Sequence, residues 1–203
     1  MKTLNEIDTT AKRASKAAGF SWGIAEEIGK SIESLELFGL PGVTNLNLYL
    51  KKIKKNHPEK LNKIEKENRL KNKELCPIYC GVAFLDKCRQ LETLQSIKYY
   101  NVSYPLLILP FISKASELLE KKILIEYNKS SFLLNFNKFI FSKNLNNQVD
   151  SLAKEMRIEF LENKDSFSEQ NWKELYKLSE ETFVEESESS KTKGAGAGFI
   201  DNE

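Results

Sequence analysis

The sequence predicts an α+β fold with a helical N-terminal third, a small mixed or antiparallel β-sheet in the middle, and a C-terminal amphipathic helix with a glycine-rich tail. Three patterns support this fold class. Apolar residues recur at helical spacing up to about residue 50. Strand-like apolar runs follow between residues 76 and 161, and helical spacing returns beyond residue 168. We find no internal repeat in the sequence.

The chain is expected to form a single α+β domain over residues 1–203. Within it we expect a helical element at residues 1–50 and a Lys/Asn/Glu-rich helix or linker at residues 51–74. An α+β core is predicted at residues 75–184, and a spacer with the glycine-rich tail at residues 185–203.

Three helices are predicted in the N-terminal element. Residues 3–6 (Thr-Leu-Asn-Glu) form a capping box, and Gly19 follows the last turn of that helix. Ser21 is placed to cap a second helix, which Gly39 ends. A third helix is predicted to begin near Thr44.

The first part of the predicted core mixes strands and helices. Residues 76–84 are apolar and predict a short strand, with a helix near residues 86–97. Residues 104–112 (YPLLILPFI) predict a buried strand interrupted by two prolines, which favours an edge or a kinked end. A short helix is predicted at residues 115–121.

The second part of the core is strand-like. Residues 122–127 and 132–141 predict two strands joined by a hairpin loop at residues 128–131. Residues 156–161 suggest a further strand. Residues 166–169 (Ser-Phe-Ser-Glu) are interpreted as a second capping box that opens the C-terminal amphipathic helix. The apolar side of this helix is formed by Trp172, Leu175, Tyr176 and Leu178.

Composition and charge exclude several classes of function. The net charge is only +2, so no overall nucleic-acid signature is present. Residues 51–74 carry ten Lys or Arg against four acids, and residues 150–188 carry twelve acids against five bases. We interpret both as solvated surfaces, or as surfaces that attract each other within or between subunits. The sequence shows no apolar secretory leader and no run long enough to span a bilayer, so we expect a cytoplasmic protein.

The cysteines and the histidine of this chain indicate neither a disulfide framework nor a metal site. The three cysteines, Cys76, Cys80 and Cys88, are an odd number and fit a reducing cytosol better than a disulfide framework. Their spacing lacks a fourth zinc ligand, so we expect buried core cysteines. His57 is the single histidine and is expected to be exposed. No cofactor motif is present, and we predict neither a cofactor nor a metal.

Five residues in the folded part of the chain are candidates for a site. Glu27 and Glu26 could act as a general acid or base if either is buried beside Trp22, because desolvation raises the pKa of a carboxyl group. The alternative is a solvent-facing pair near the positive end of a helix. Asp86 and Lys87 could lie at the carboxyl end of a strand, where Asp86 would assist catalysis and Lys87 would bind substrate. They could equally cap the next helix.

The C-terminal tail is the second candidate site. Glycine alternates with alanine there, and the successive N–H groups of such a segment can surround an anion. Phe199 and Ile200 would anchor the tail in an apolar groove. A flexible terminus is the alternative. The tail residues predicted to bind substrate are Gly194, Gly196, Gly198, Asp201 and Asn202.

Three groups of residues resemble one family pattern. They are Ala18, Gly19, Trp22, Gly23, Ala25, Glu26, Glu27, Gly29 and 39–42 (Gly-Leu-Pro-Gly); 80–83, Asp86 and 109–111; and 194–198 with 201–203. On these residues the chain resembles an uncharacterised bacterial family of unknown function. The resemblance implies an ordered tail and makes Trp22 and the glutamate pair site candidates. It implies no reaction.

Two functions follow from these observations. The first is an enzyme, or a pocket-bearing enzyme subunit, that acts on a small anionic metabolite, with the tail closing the site. The second is a non-catalytic binding or assembly module whose tail docks on a neighbouring subunit or a partner enzyme. Either function allows a homo-oligomer. We expect no nucleic-acid partner, because the lysine-rich segment lacks aromatic residues for base stacking, and no membrane partner.

Overall fold

In a computed structural model of the protein, the described residues are 2–54, 57–61, 63–135, 139–142 and 149–182. By contacts between residues the chain divides into two compact units, Met1–Asn163 and Lys164–Glu203.

The first unit begins with three helices, as predicted. They are α1 (Leu4–Ala17), α2 (Trp22–Leu37) and α3 (Gly42–Ile53). The predicted capping box of Thr3 is present, and Ser21 caps α2 through the backbone N–H of Ile24. Gly19 and Gly39 follow the two helices with φ of 102° and 70°, a conformation that glycine adopts without strain. The third helix begins two residues before its predicted start.

The lysine-rich segment forms no helix beyond Ile53, so the surface-helix alternative is wrong for its described residues. Instead it supplies a strand, β1 (Glu67–Asn68), to the edge of the sheet. The side chain of Asn68 fixes this strand, since its amide donates to the carbonyl oxygen of Lys98 at 3.0 Å. A polar segment with few apolar residues, such as this one, can therefore form an edge strand.

The predicted strand at residues 76–84 is wrong. Helix α4 (Pro77–Leu91) occupies this position and runs on through part of the predicted helix at 86–97. Two residues explain its start: the sulfur of Cys76 accepts from the Tyr79 N–H, and Pro77 lies in the first turn, where its missing N–H costs nothing. A 3₁₀ turn and strand β2 (Ser96–Ser103) follow, and the sequence analysis missed that strand.

The predicted strand at residues 104–112 is also wrong. A 3₁₀ turn (Pro105–Ile108) leads directly into helix α5 (Leu109–Leu119), which also contains most of the short helix predicted at 115–121. Each proline lies within the first two positions of its helical segment, where proline is favoured. The segment is buried on all sides, so no helical periodicity marks it.

The remaining strands of the first unit are β3 (Lys122–Tyr127), β4 (Ser130–Asn135), β5 (Phe139–Ser142) and β6 (Leu152–Leu161). The predicted strand at 122–127 is confirmed, the run at 132–141 belongs to two strands, and β6 begins four residues earlier than predicted. The sheet order is β1-β2-β6-β3-β4-β5. Only the β1–β2 pair is parallel among these strands, so the sheet is mixed and the predicted α+β class is confirmed.

Alternation along the strands places one face of the sheet in the core. Ile97 and Tyr99 on β2, Ile123 and Ile125 on β3, and Ile158 on β6 are fully buried. Helix α5 contacts β3, β4 and α4, while α2 contacts both α3 and α5. The helices therefore cover the sheet and carry the side chains described below.

The second unit contains α6 (Glu169–Glu180), the predicted C-terminal helix. Its cap is Ser168, whose hydroxyl accepts from the Asn171 N–H, and not Ser166 as the predicted capping box required. The apolar residues of the helix are at least half exposed, and Trp172 stacks on Phe167 with 5.5 Å between ring centroids.

Candidate functional site

The first predicted site residues lie at the surface of α2. Trp22 is 57% exposed, and the ammonium group of Lys16 lies 5.4 Å from the centre of its ring. Glu26 is exposed as well. An indole so open to water gives neither glutamate a desolvated surface beside it.

Glu27 has a different environment, between α2 and α5. Its carboxylate forms an ion pair with Lys114 at 2.5 Å. Both side chains line a cavity of about 580 Å³, which we name the Glu27 cavity, and Asp86 on α4 lines it too. The structure therefore brings two of the predicted acid/base residues, Glu27 and Asp86, to one cavity. Asp86 and Lys87 lie within helix α4, not at a strand end, and Lys87 is not among the residues of this cavity.

The charge of the Glu27 cavity is mainly negative. Among the described residues that line it, Glu27, Asp86 and Glu117 contribute three carboxylates and Lys114 contributes one ammonium group. The remaining lining residues are apolar, and Phe111 on α5 is one of them. This balance disfavours an anionic ligand, because like charges repel at short range.

A second cavity, of about 690 Å³, lies where α3, two loop segments and the end of β2 meet. We name it the Ser103 cavity. Its apolar wall is formed by Tyr49 and Ile53 of α3 and by Leu75. Its polar and remaining lining residues are Lys52, His57, Pro58, Glu59, Asn72, Lys73, Glu74, Cys76 and Ser103.

Ser103 is the last residue of β2 and is only 3% exposed. Its N–H donates to the carbonyl oxygen of Leu75 at 3.1 Å, which ties the strand to the segment before α4. Its hydroxyl oxygen has no hydrogen-bond partner among the described residues. A buried hydroxyl without a partner is unusual, because its desolvation is not compensated.

Tyr49 and Cys76 form a buried pair that lines the same cavity. The Tyr49 hydroxyl donates to the Cys76 sulfur at 2.8 Å, and the Tyr79 N–H donates to the same sulfur at 3.3 Å. Burial raises the pKa of the Cys76 thiol to about 11 and also raises the pKa of the Tyr49 hydroxyl. Both groups are therefore protonated and neutral near pH 7, and Cys76 is not a thiolate nucleophile.

Two ion pairs connect the elements around the cavity. Lys52 of α3 pairs with Glu74 at 2.5 Å, and Lys73 pairs with Glu59. All four side chains line the Ser103 cavity and are partly exposed. The cavity thus holds two lysines whose present partners are the protein's own carboxylates.

His57 is exposed, as predicted, yet it is held in place. Its Nε2 lies 3.1 Å from the carbonyl oxygen of Gly19, and its ring meets Phe20 edge-on and stacks on Tyr79. A Cβ atom on Gly19 would lie 3.1 Å from the His57 ring, so the glycine allows this approach. The imidazole therefore fixes one wall of the cavity against the turn between α1 and α2.

Sequence reasoning missed the Ser103 cavity. Tyr49, Lys73 and Ser103 lie in separate segments, and no spacing motif connects them. The one lining residue that stands out in the sequence is His57, the single histidine, and its exposed position gave no indication of a cavity.

The predicted tail residues lie outside the described residues, so their roles stay predictions. The expectation of buried cysteines is confirmed, since Cys76, Cys80 and Cys88 are buried and free. Within the described part of the chain, no three His, Cys, Asp or Glu side chains come together in a group that could hold a metal ion. None of the helices described is both long and apolar enough to cross a membrane.

Comparison with known proteins adds a family match for the helical element. Residues 2–74 match the model of a family described as a protein of unknown function (DUF3726). The predicted resemblance to a family of unknown function is confirmed over this range, which includes Trp22, Glu26, Glu27 and Gly29. The range also contributes the α3 wall of the Ser103 cavity together with His57 and Lys73. No curated protein and no solved structure matches the chain.

Proposed function

We propose that this protein binds a small polar metabolite in the Ser103 cavity. The observation that carries the proposal is the buried hydroxyl of Ser103, a residue of the cavity wall, which has no partner among the described residues. Buried polar groups nearly always have a partner, and a bound ligand would supply one.

The size and lining of the cavity support this function. Ligand sites are typically clefts of about 300–1,000 Å³ with an apolar lining and a few polar groups, and about 690 Å³ falls within this range. Tyr49, Ile53 and Leu75 offer apolar surface, while Ser103 and Asn72 offer hydrogen-bonding groups. Such a combination orients a small molecule that has one apolar and one polar end.

The chemistry of the wall favours binding over covalent catalysis. The cavity's one thiol, Cys76, has its pKa raised to about 11 by burial, so at neutral pH it remains protonated. In the Glu27 cavity, Glu27 and Asp86 remain candidates for acid/base work. Its excess of carboxylates, however, suits the predicted anionic metabolite less well than the Ser103 cavity does, where two lysines are matched by two glutamates.

The test is a ligand screen with matched serine variants. Hydroxy, keto and amino acids and small phosphates would be screened by thermal shift, and affinities measured by calorimetry for compounds that stabilise the protein. We expect Ser103→Ala to weaken the binding of such compounds by about fivefold to tenfold, the value of one hydrogen bond. Ser31→Ala is the control, because Ser31 is equally buried and unpartnered but does not line this cavity.

Equal losses in the two serine variants would show a general effect on the fold and would contradict the proposal. A screen in which no compound binds the unmodified protein would contradict it as well.

The glycine-rich tail remains part of the proposal on sequence grounds alone. A chain ending at Ser190, compared with the full chain, separates the two predicted roles of the tail. Binding lost on truncation supports a tail that closes the site. A change in mass by sedimentation, with ligand binding retained, supports a tail that docks on another subunit.

A further inference from the structure

We infer that the ligand of the Ser103 cavity is a small organic acid. Its carboxylate would pair with Lys73 in place of Glu59, or with Lys52 in place of Glu74. This inference rests on the proposed function, since it names the ligand class of the same cavity. It is carried by the arrangement of four charged side chains, Lys52, Glu59, Lys73 and Glu74, around one apolar pocket.

The two lysines reach the cavity from separate segments. Lys52 lies on α3, and Lys73 lies in the loop before α4. Each is neutralised by a carboxylate from another segment, so the pairs Lys52–Glu74 and Lys73–Glu59 connect the segments around the cavity. Each of the two lysines in this cavity therefore already binds a carboxylate, which belongs to the protein itself.

Exchange of these internal carboxylates for a ligand is energetically feasible. The side chains of Lys73 and Glu59 are each more than half exposed. Exposed ion pairs of this kind contribute little to stability, so releasing Glu59 to water costs little. A ligand carboxylate that also buries an apolar body would gain more than the released glutamate loses.

The remaining lining residues indicate what the part of the acid beyond its carboxylate should be. Ile53, Leu75 and the ring of Tyr49 favour an apolar chain or ring. Ser103 also lines the cavity, and its buried hydroxyl, without a partner among the described residues, offers one hydrogen-bonding point. Inorganic phosphate offers charge but no apolar body, and therefore matches only the lysine part of the cavity.

The experiment compares acids with their uncharged amides. Hexanoate and 3-phenylpropanoate, together with hexanamide and 3-phenylpropanamide, would be titrated by calorimetry and by NMR chemical-shift mapping. We expect the acids to bind more tightly than the amides, and Glu59→Gln to bind the acids about fivefold more tightly because the internal competitor is gone. Lys73→Met should weaken the acids by about the same factor and leave the amides unchanged.

The matched control is Glu65→Gln. Glu65 also pairs with a lysine, Lys63, at an exposed position of the same segment, but it does not line the cavity. Its substitution should leave the affinity for both acids and amides unchanged.

The outcomes distinguish this inference from the proposed function. Amides that bind as tightly as acids, with Glu59→Gln without effect, would overturn the acid assignment and leave the cavity as a binding site. Phosphate that binds as well as the acids would overturn the assignment of an apolar body. If no probe and no screened compound binds either the unmodified protein or Glu59→Gln, both proposals fail.

Discussion

Two glycines of helix α2 occupy opposite environments. A Cβ atom on Gly29 would overlap the carboxylate of Asp8 and lie 2.8 Å from the Asp8 carbonyl oxygen on α1. Nothing lies within 4 Å of a Cβ atom on Gly23. Gly29 therefore permits the close approach of α1 and α2, whereas Gly23 has no such packing role.

These two positions give a matched pair of variants. Gly29→Ala should lower the free energy of unfolding by about 1–3 kcal/mol, because the backbone of Asp8 must move. Gly23→Ala should leave it unchanged or raise it by about 1 kcal/mol or less, because alanine favours the helix. Denaturant unfolding measures both. Equal effects would mean that the α1–α2 contact is looser than described.

At the same scale, the sequence predicted helix ends better than it predicted the site. Thr3, Ser21 and Gly19 act on neighbours a few residues away, so local spacing was sufficient. The Ser103 cavity is assembled from α3, two loop segments and the end of β2, and no local pattern links these segments.

At the scale of elements, continuous apolar composition explains the two wrong strands. Residues 76–84 and 104–112 are almost wholly apolar, so neither the period of a strand nor that of a helix is visible in them. The two prolines of residues 104–112 predict an interrupted strand, whereas in the structure each lies at the start of a helical segment. Where one face meets water, as at residues 122–127, alternation identified the strand correctly.

The cap of α6 can be tested directly. Ser168→Ala should remove the hydrogen bond to the Asn171 N–H and cost the helix about 1 kcal/mol. We expect hydrogen exchange of the Asn171 amide to become about fivefold faster. Ser166→Ala, at the cap that the sequence pattern first indicated, should leave this amide unchanged. The opposite result would restore the predicted capping box.

At the scale of the whole molecule, the buried thiols and phenols should make the protein less stable at high pH. Burial raises the pKa of Cys76 from about 9 to about 11 and raises the pKa values of Cys80, Tyr49 and Tyr127. The unfolded chain therefore loses these protons at lower pH than the folded chain does. For Cys76, the resulting contribution to stability is complete below about pH 9 and is lost as the pH rises toward 11.

Urea unfolding from about pH 8 to pH 11 should show this dependence. We expect the free energy of unfolding to fall by about 1.4 kcal/mol per pH unit for each thiol that titrates only in the unfolded chain. Cys76→Ser should reduce the slope, since serine keeps an acceptor for Tyr49 and Tyr79 but does not titrate. A flat profile, or equal slopes in both proteins, would contradict the burial of this thiol.

The position of β6 has a consequence for synthesis. It is the last of the described strands in the chain, yet it lies between β2 and β3. Until residues 152–161 are made, β2 presents an open edge, and the β3–β4–β5 group presents a second open edge once its own strands have formed. Such edges attract other chains, so the nascent protein is most exposed to aggregation until Leu152–Leu161 leaves the exit tunnel and joins the two halves.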